Sequence, residues 1–196
     1  MNMPAPCLRF TQINCVLENI ISDMCEDSMV TAVVEAIADN DPLDENDSGH
    51  VRTDLVVSCD GTFMKRGHMS LCGVSSVVSI ETGKLLDVQV MSKFCHNYAL
   101  SGECEEAVKG HNCSKTFSGS SGGMEGAGMQ IIFKRSVKEC GVRYVEYLGD
   151  GDSNVFKSVN ERKLYGELSI EKLECIGHIQ KRMGSRLRKL VSDMKG

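Results

Sequence analysis

Asp54-Leu-Val-Val-Ser-Cys-Asp60 is a short, nearly continuous apolar run with an aspartate at each end. Its length and its valines predict a central β-strand buried on both faces. Downstream, Lys65-Arg66-Gly67 is a turn and Leu71–Ile80, rich in Val and Ser, is a second strand. Thr82-Gly83 then makes a tight hairpin into a third strand, Lys84–Val90, which completes a meander. The Gly/Ser run at 118–123 reads as a hinge into a helix whose apolar positions Met129, Ile132, Phe133 and Val137 lead to a stop at Gly141. Val142–Leu148 is a fourth strand, ending in Gly149-Asp-Gly-Asp152. Ser153 suits the N-cap of a helix through Val155, Phe156 and Val159. Ile170–Ile176 is a fifth strand and His178–Met194 a basic helix.

Upstream, Ile13, Val16, Leu17, Ile20, Ile21 and Met24, then Met29, Val33, Val34 and Ile37, recur near helical spacing and predict one or two amphipathic helices over 13–38. Pro42, Gly49 and many acids make 40–50 a linker. The expected class is therefore α/β, a mixed five-stranded sheet flanked by helices. Residues 1–50 form an N-terminal helical segment with its acidic linker, and 51–196 form the core. Residues 91–117 have little periodicity and are a Cys/His-rich insertion.

A chain of 196 residues can bury one good core. No run approaches the roughly 18 apolar residues of a membrane span, and the start MNMPAPCLRF has no apolar signal-peptide core. The chain is read as intracellular and not membrane-bound, with reduced thiols, so its ten cysteines are buried small residues or metal ligands rather than a disulfide framework. The net charge of −5 does not suit a protein that coats DNA, but the charge is uneven. Residues 35–54 carry seven acids against Arg52. The last sixteen residues carry Lys181, Arg182, Arg186, Arg188, Lys189 and Lys195 against Asp193. That basic end is either a local phosphate contact or a solvated helix face.

Two aspartates carry the candidate chemistry. Asp60 and Asp150 each end an apolar strand and each precede a glycine. If the strands are neighbours, the carboxylates converge at one edge of the sheet, where they could hold magnesium and leave room for substrate phosphates. A pair of such ions activates a water or 3′-hydroxyl and stabilises the leaving oxygen of a phosphodiester. Strand-end aspartates are also common turn formers. Asp152 competes with Asp150, although it better suits a helix N-terminus. Cys95, Cys104, His111 and Cys113 are the ligand types of a structural zinc site, with His96 as a substitute member, but Cys-x8-Cys-x6-His-x-Cys is no standard knuckle and fits a loop with incidental cysteines too. Cys59 alternates away from Asp60 and reads as core. Gly149-x-Gly151 lacks a third glycine at 154, and the Gly/Ser run lacks Gly-Lys-Ser/Thr, so neither is a nucleotide motif.

VSCDGTFMKRGH, GSSGGME, YLGDGDS and LECIGHIQKRMGSRLRKL occur in that order. Together they resemble the Mutator-like transposase domain, from about residue 52 to the C-terminus. The resemblance implies a ribonuclease H-like fold with an Asp, Asp, Glu/Asp triad that binds Mg2+ or Mn2+. Asp60 matches its first acid and Asp150 its second. It also implies that Cys175-x-x-His178 is the family's cysteine/histidine motif. It implies DNA as partner (transposon ends and target) and a nuclear site of action, allows a homo-oligomer, and strengthens the zinc reading. Lys65, Arg66, Lys181, Arg182, Arg186, Arg188 and Lys189 are then the DNA-contacting residues. Related sequences often have a cysteine pair early in the insertion, whereas here Cys95 is followed at the third place by Tyr98. The family's third acid lies well beyond the cysteine/histidine motif, and none of Glu171, Glu174 or Asp193 matches its place. The expected function is a transposase catalytic-core fragment, inactive alone. The alternative is a non-catalytic, zinc-stabilised DNA- or protein-binding remnant of a transposable element.

Overall fold

The computed structural model describes residues 9–40, 53–65, 69–101, 113–149 and 153–194. In chain order they form α1 (Phe10–Asp39), β1 (Thr53–Phe63), β2 (Cys72–Ser79), β3 (Leu85–Ser92), α2 (His96–Ser101), α3 (Ser121–Arg135), β4 (Val142–Gly149), α4 (Ser153–Asn160), β5 (Glu171–Glu174) and α5 (Ile176–Asp193). The five strands make one sheet in the order β3-β2-β1-β4-β5. The β1–β2 and β2–β3 pairs are antiparallel, whereas β1–β4 and β4–β5 are parallel. The expected meander and mixed sheet are present. Several expectations fail in detail, among them the fifth strand, which covers only Glu171–Glu174 and lets α5 begin at Ile176. The insertion contains a short helix, α2, and α3 takes in the second half of the Gly/Ser run, because Ser121 is tied down: its hydroxyl donates to the Ser70 carbonyl at 2.9 Å and the Lys93 ammonium donates to it at 3.0 Å. The 40–50 linker lies outside the described residues apart from Asn40.

β1 is not buried on both faces. Leu55, Val57 and Cys59 are buried while Val56 and Ser58 between them are half-buried, the period-two alternation of a strand covered mainly on one side. The core lies on the covered side. Met129, Ile132 and Phe133 of α3, Val155 and Val159 of α4, and Ala32, Val33 and Ala36 of α1 join the strand residues in one cluster. α1 is a single helix, and only its C-terminal turns reach this core. Phe10, Ile13, Leu17, Ile20 and Met24 stay exposed. Near its end, Glu35 pairs with Lys84, and the Asn40 amide donates to Glu81 at 3.1 Å. α3 passes into a π-helical turn, Ser136–Cys140, which ends at Gly141 in the left-handed region (φ 69°) that glycine adopts without strain.

Parallel pairing of β1 with β4 contains an irregularity. Leu55 opposes Tyr144 but Val56 opposes Glu146, so Val145 is an extra residue. A bulge of this kind shifts the alternation by one. Tyr144 and Tyr147, three apart, therefore both face the core, where Phe133 meets Tyr144 edge-on at 5.2 Å. Arg143 and Asp54 oppose each other before the bulge and form a two-pronged ion pair, with the second contact at 2.9 Å. On the other flank, Arg135 at the end of α3 grips Asp87 of β3 and donates to the Val88 carbonyl at 2.7 Å.

The Tyr144 hydroxyl is buried with no hydrogen-bond partner among the described residues. Burial, reinforced by nearby Cys140 and Asp87, pushes this phenol far above its ordinary range. A buried, unsatisfied hydroxyl costs about 1–3 kcal/mol, whereas the ring supplies core contacts. Tyr144→Phe should therefore leave the chain as stable or make it more so in urea unfolding. Phe133→Ala should cost about 3–5 kcal/mol. A large loss of stability in Tyr144→Phe would show that the hydroxyl is satisfied.

Candidate functional site

The parallel ladder brings the two motif strands side by side. Its last pair among the described residues is Cys59 with Gly149, the residues that precede Asp60 and Asp150 in sequence. Asp150 itself, with Gly151 and Asp152, lies outside the described residues. Asp60 does not end its strand, because β1 runs on to Phe63 paired with Gly73 of β2. Nor is Asp60 buried: its even-numbered position turns it away from the helices, and it is exposed. The cost of burying a charge, which its place on an apolar strand suggested, does not apply. Its Oδ1 accepts the amide N–H of the next residue, Gly61, at 2.9 Å.

Side chains closely approach both glycines of the site. A Cβ at Gly149 would stand 2.3 Å from the Tyr147 ring, which lies across it. A Cβ at Gly61 would stand 2.7 Å from Oε2 of Glu125, a half-buried carboxylate on α3. Glu125 was not among the sequence candidates. The signal was present, a lone acid in a glycine-rich run, but only the packing of α3 over β1 shows which strand it reaches. Ser75 of β2 donates to the Glu125 carbonyl at 3.2 Å and holds this turn of α3 against the sheet. Cys59 is buried, as its alternation predicts. Burial, then the charge of Glu125, pushes its thiol well up, so it remains protonated and unreactive.

The remaining candidates sit elsewhere. Cys95 is buried and Cys113 half-buried, and both act on Tyr98, whose phenol is raised first by a hydrogen bond with Cys113. The two ends of the insertion are therefore neighbours, held where Thr116 and Phe117 donate backbone N–H groups to the Ser92 carbonyl. Cys104 and His111 lie outside the described residues. Among the described residues, no group of three His, Cys, Asp or Glu side chains could hold a metal.

Cys175 and His178 share the first turn of α5, where the Cys175 carbonyl accepts the amides of His178 and Ile179 at 3.0 and 3.1 Å. Arg182 pairs with Glu174 at 3.1 Å, as does Lys172 at 3.2 Å, and the two cations hold the Glu174 carboxyl below its ordinary range. Lys181, Arg186, Arg188 and Lys189 are exposed along α5, and Lys65 is exposed after β1. Arg66 lies outside the described residues.

A family model described as Mutator-like transposase matches residues 1–196. It reaches further toward the N-terminus than the motifs that begin near residue 52. No curated protein and no solved structure matches the chain.

The contact over Gly149 is testable by adding a methyl group. Gly149→Ala should destabilise by about 1–3 kcal/mol, the usual range for overpacking. Tyr147→Leu should lose stability alone but suppress most of the added loss in the double mutant. Additive losses in thermal unfolding would mean that the ring does not cover position 149.

Proposed function

We propose that this chain, which belongs to the Mutator-like transposase family, contains the metal-binding carboxylates of a ribonuclease H-like catalytic core that cuts and joins DNA. Membership implies transposition; the assignment of residues is our reading. The pairing of Cys59 with Gly149 carries it, since the first and second motif aspartates each follow one member of that pair. The strand order, with three antiparallel strands first and two parallel additions on the far side of β1, supports the ribonuclease H-like reading.

The donor set fits a hard divalent cation. Carboxylate oxygens suit Mg2+ or Mn2+, which keep open positions for water and phosphate. When bound, the cation supplies activation of a water or 3′-hydroxyl and neutralises charge at the phosphodiester. Asp60 and Asp150 are the residues that would hold it. Lys65, Arg66 and the exposed bases of α5 would meet DNA phosphates, a role that needs charge and position but no base reading. This work belongs in the nucleus. Cys95, Cys104, His111 and Cys113 would form a zinc site that braces the insertion, a reading supported by the proximity of Cys95 and Cys113 to Tyr98.

Two experiments test these assignments. Calorimetry with Mn2+ should detect binding to the wild-type chain and none to the Asp60→Asn, Asp150→Asn double mutant. Unchanged binding would sink the metal reading. Protein purified without chelators should carry about one zinc, lost in Cys113→Ser or Cys104→Ser, as a four-ligand structural site requires. Metal analysis that finds no zinc in the wild type would remove that part.

A further inference from the structure

We propose that α1 of one copy of this chain packs against α5 of a second copy, joining an acidic helix with an apolar row to a basic helix with another. The inference goes beyond the metal reading and does not depend on it.

Helical spacing sets both rows. In α1, Phe10, Ile13, Leu17, Ile20 and Met24 follow one another at alternating steps of three and four residues, the spacing of a helix-pairing seam. In α5, Ile176, Ile179, Met183, Leu187 and Leu190 recur at steps of three or four and form a second row. Both rows face solvent: Leu17 is 49% exposed, Met24 66%, Ile176 72% and Leu187 56%. Buried residues of α1 begin only at Ala32, and α5 has none. Contiguous exposed apolar surface of this kind marks a contact face. Within one copy the rows do not cover each other. The end of α1 is tied beside β3 by the Glu35–Lys84 and Asn40–Glu81 contacts, whereas α5 starts just after β5, at the opposite edge of the sheet.

Charge selects the pairing. α1 carries six acids, Glu18, Asp23, Glu26, Asp27, Glu35 and Asp39, and no base. α5 carries five Lys and Arg side chains against Asp193 alone. Asp23 directly precedes Met24 of the α1 row, while Arg182, Arg186 and Lys189 each directly precede a residue of the α5 row. Pairing α1 with α1 would set acids against acids, and α5 with α5 bases against bases. Only the mixed pair buries both rows and brings opposite charges to their borders. Lys181 and Arg188, seven residues apart, lie on the far side of α5 and stay outside the contact.

The test is the oligomeric state of the full chain by analytical ultracentrifugation, with circular dichroism and the melting temperature as checks on folding. The wild type should self-associate at low salt and dissociate as salt rises, because the bordering charges are screened. Leu17→Glu and Leu187→Glu change exposed positions, so each should keep the wild-type spectrum and melting temperature. Each should weaken self-association at least about tenfold, since a charge then enters the apolar contact. Mixed together, the two variants should associate again, because each supplies the intact helix that the other lacks. Asp23→Lys, which leaves the apolar row whole, should also weaken association. Self-association that survives Leu187→Glu would mean that α1 pairs with itself, and survival in Leu17→Glu would mean the same for α5. Either result overturns the proposal, as does a failure of the mixed variants to associate. A wild type that is monomeric at every concentration overturns it too, whether or not α5 binds DNA.

Discussion

The rest of the structure depends on the parallel pairing of β1 with β4 and on the one-residue bulge within it. Before the bulge, Asp54 and Arg143 oppose each other and clamp the strands with two hydrogen bonds. After it, every β4 residue has changed phase, so Tyr147 enters the core and Gly149 comes level with Cys59. A slip of one residue sends each side chain to the opposite face of a sheet. Without Val145 as the extra residue, the clamp and the aromatic core could not both be satisfied by one register.

The helical layer is fastened to that pair from one side. Phe133 of α3 packs among Tyr144, Tyr147 and Tyr165, stacking on the last, and α4 adds Phe156 against Tyr147. Tyr165 is itself pinned, since its hydroxyl accepts the Tyr144 amide at 3.2 Å and lies 2.9 Å from the Ser136 hydroxyl. Its burial pushes the phenol up to about 12, so it stays neutral in this network. The same packing that stabilises α3 also decides where Glu125 is carried. The residues that set the helix over the sheet thus also set Glu125 over Gly61.

Along α5 the physics is different. Ile176, Ile179, Met183, Leu187 and Leu190 are exposed, and none of the described residues of this helix is buried. Lys181, Arg186 and Lys189 are exposed to solvent, while Arg182 is held by Glu174 and Arg188 donates to the Ser185 hydroxyl.

The sequence by itself determined the strands β1 to β4, the hairpin at Gly83, the stop at Gly141 and the burial of Cys59. Each follows from local rules: alternation, turn chemistry and the left-handed tolerance of glycine. Motif order determined the family, as the match over the whole chain bears out. Tertiary structure alone decided three matters. That Asp60 lies within β1 and not at its end follows from the continuation of the strand to Phe63 along β2, a pairing that no local pattern shows. The bulge at Val145 follows from the core's need for both tyrosines on one face. Glu125 reaches Gly61 because α3 crosses the sheet at that point, and a contact between residues so far apart depends on packing rather than on spacing.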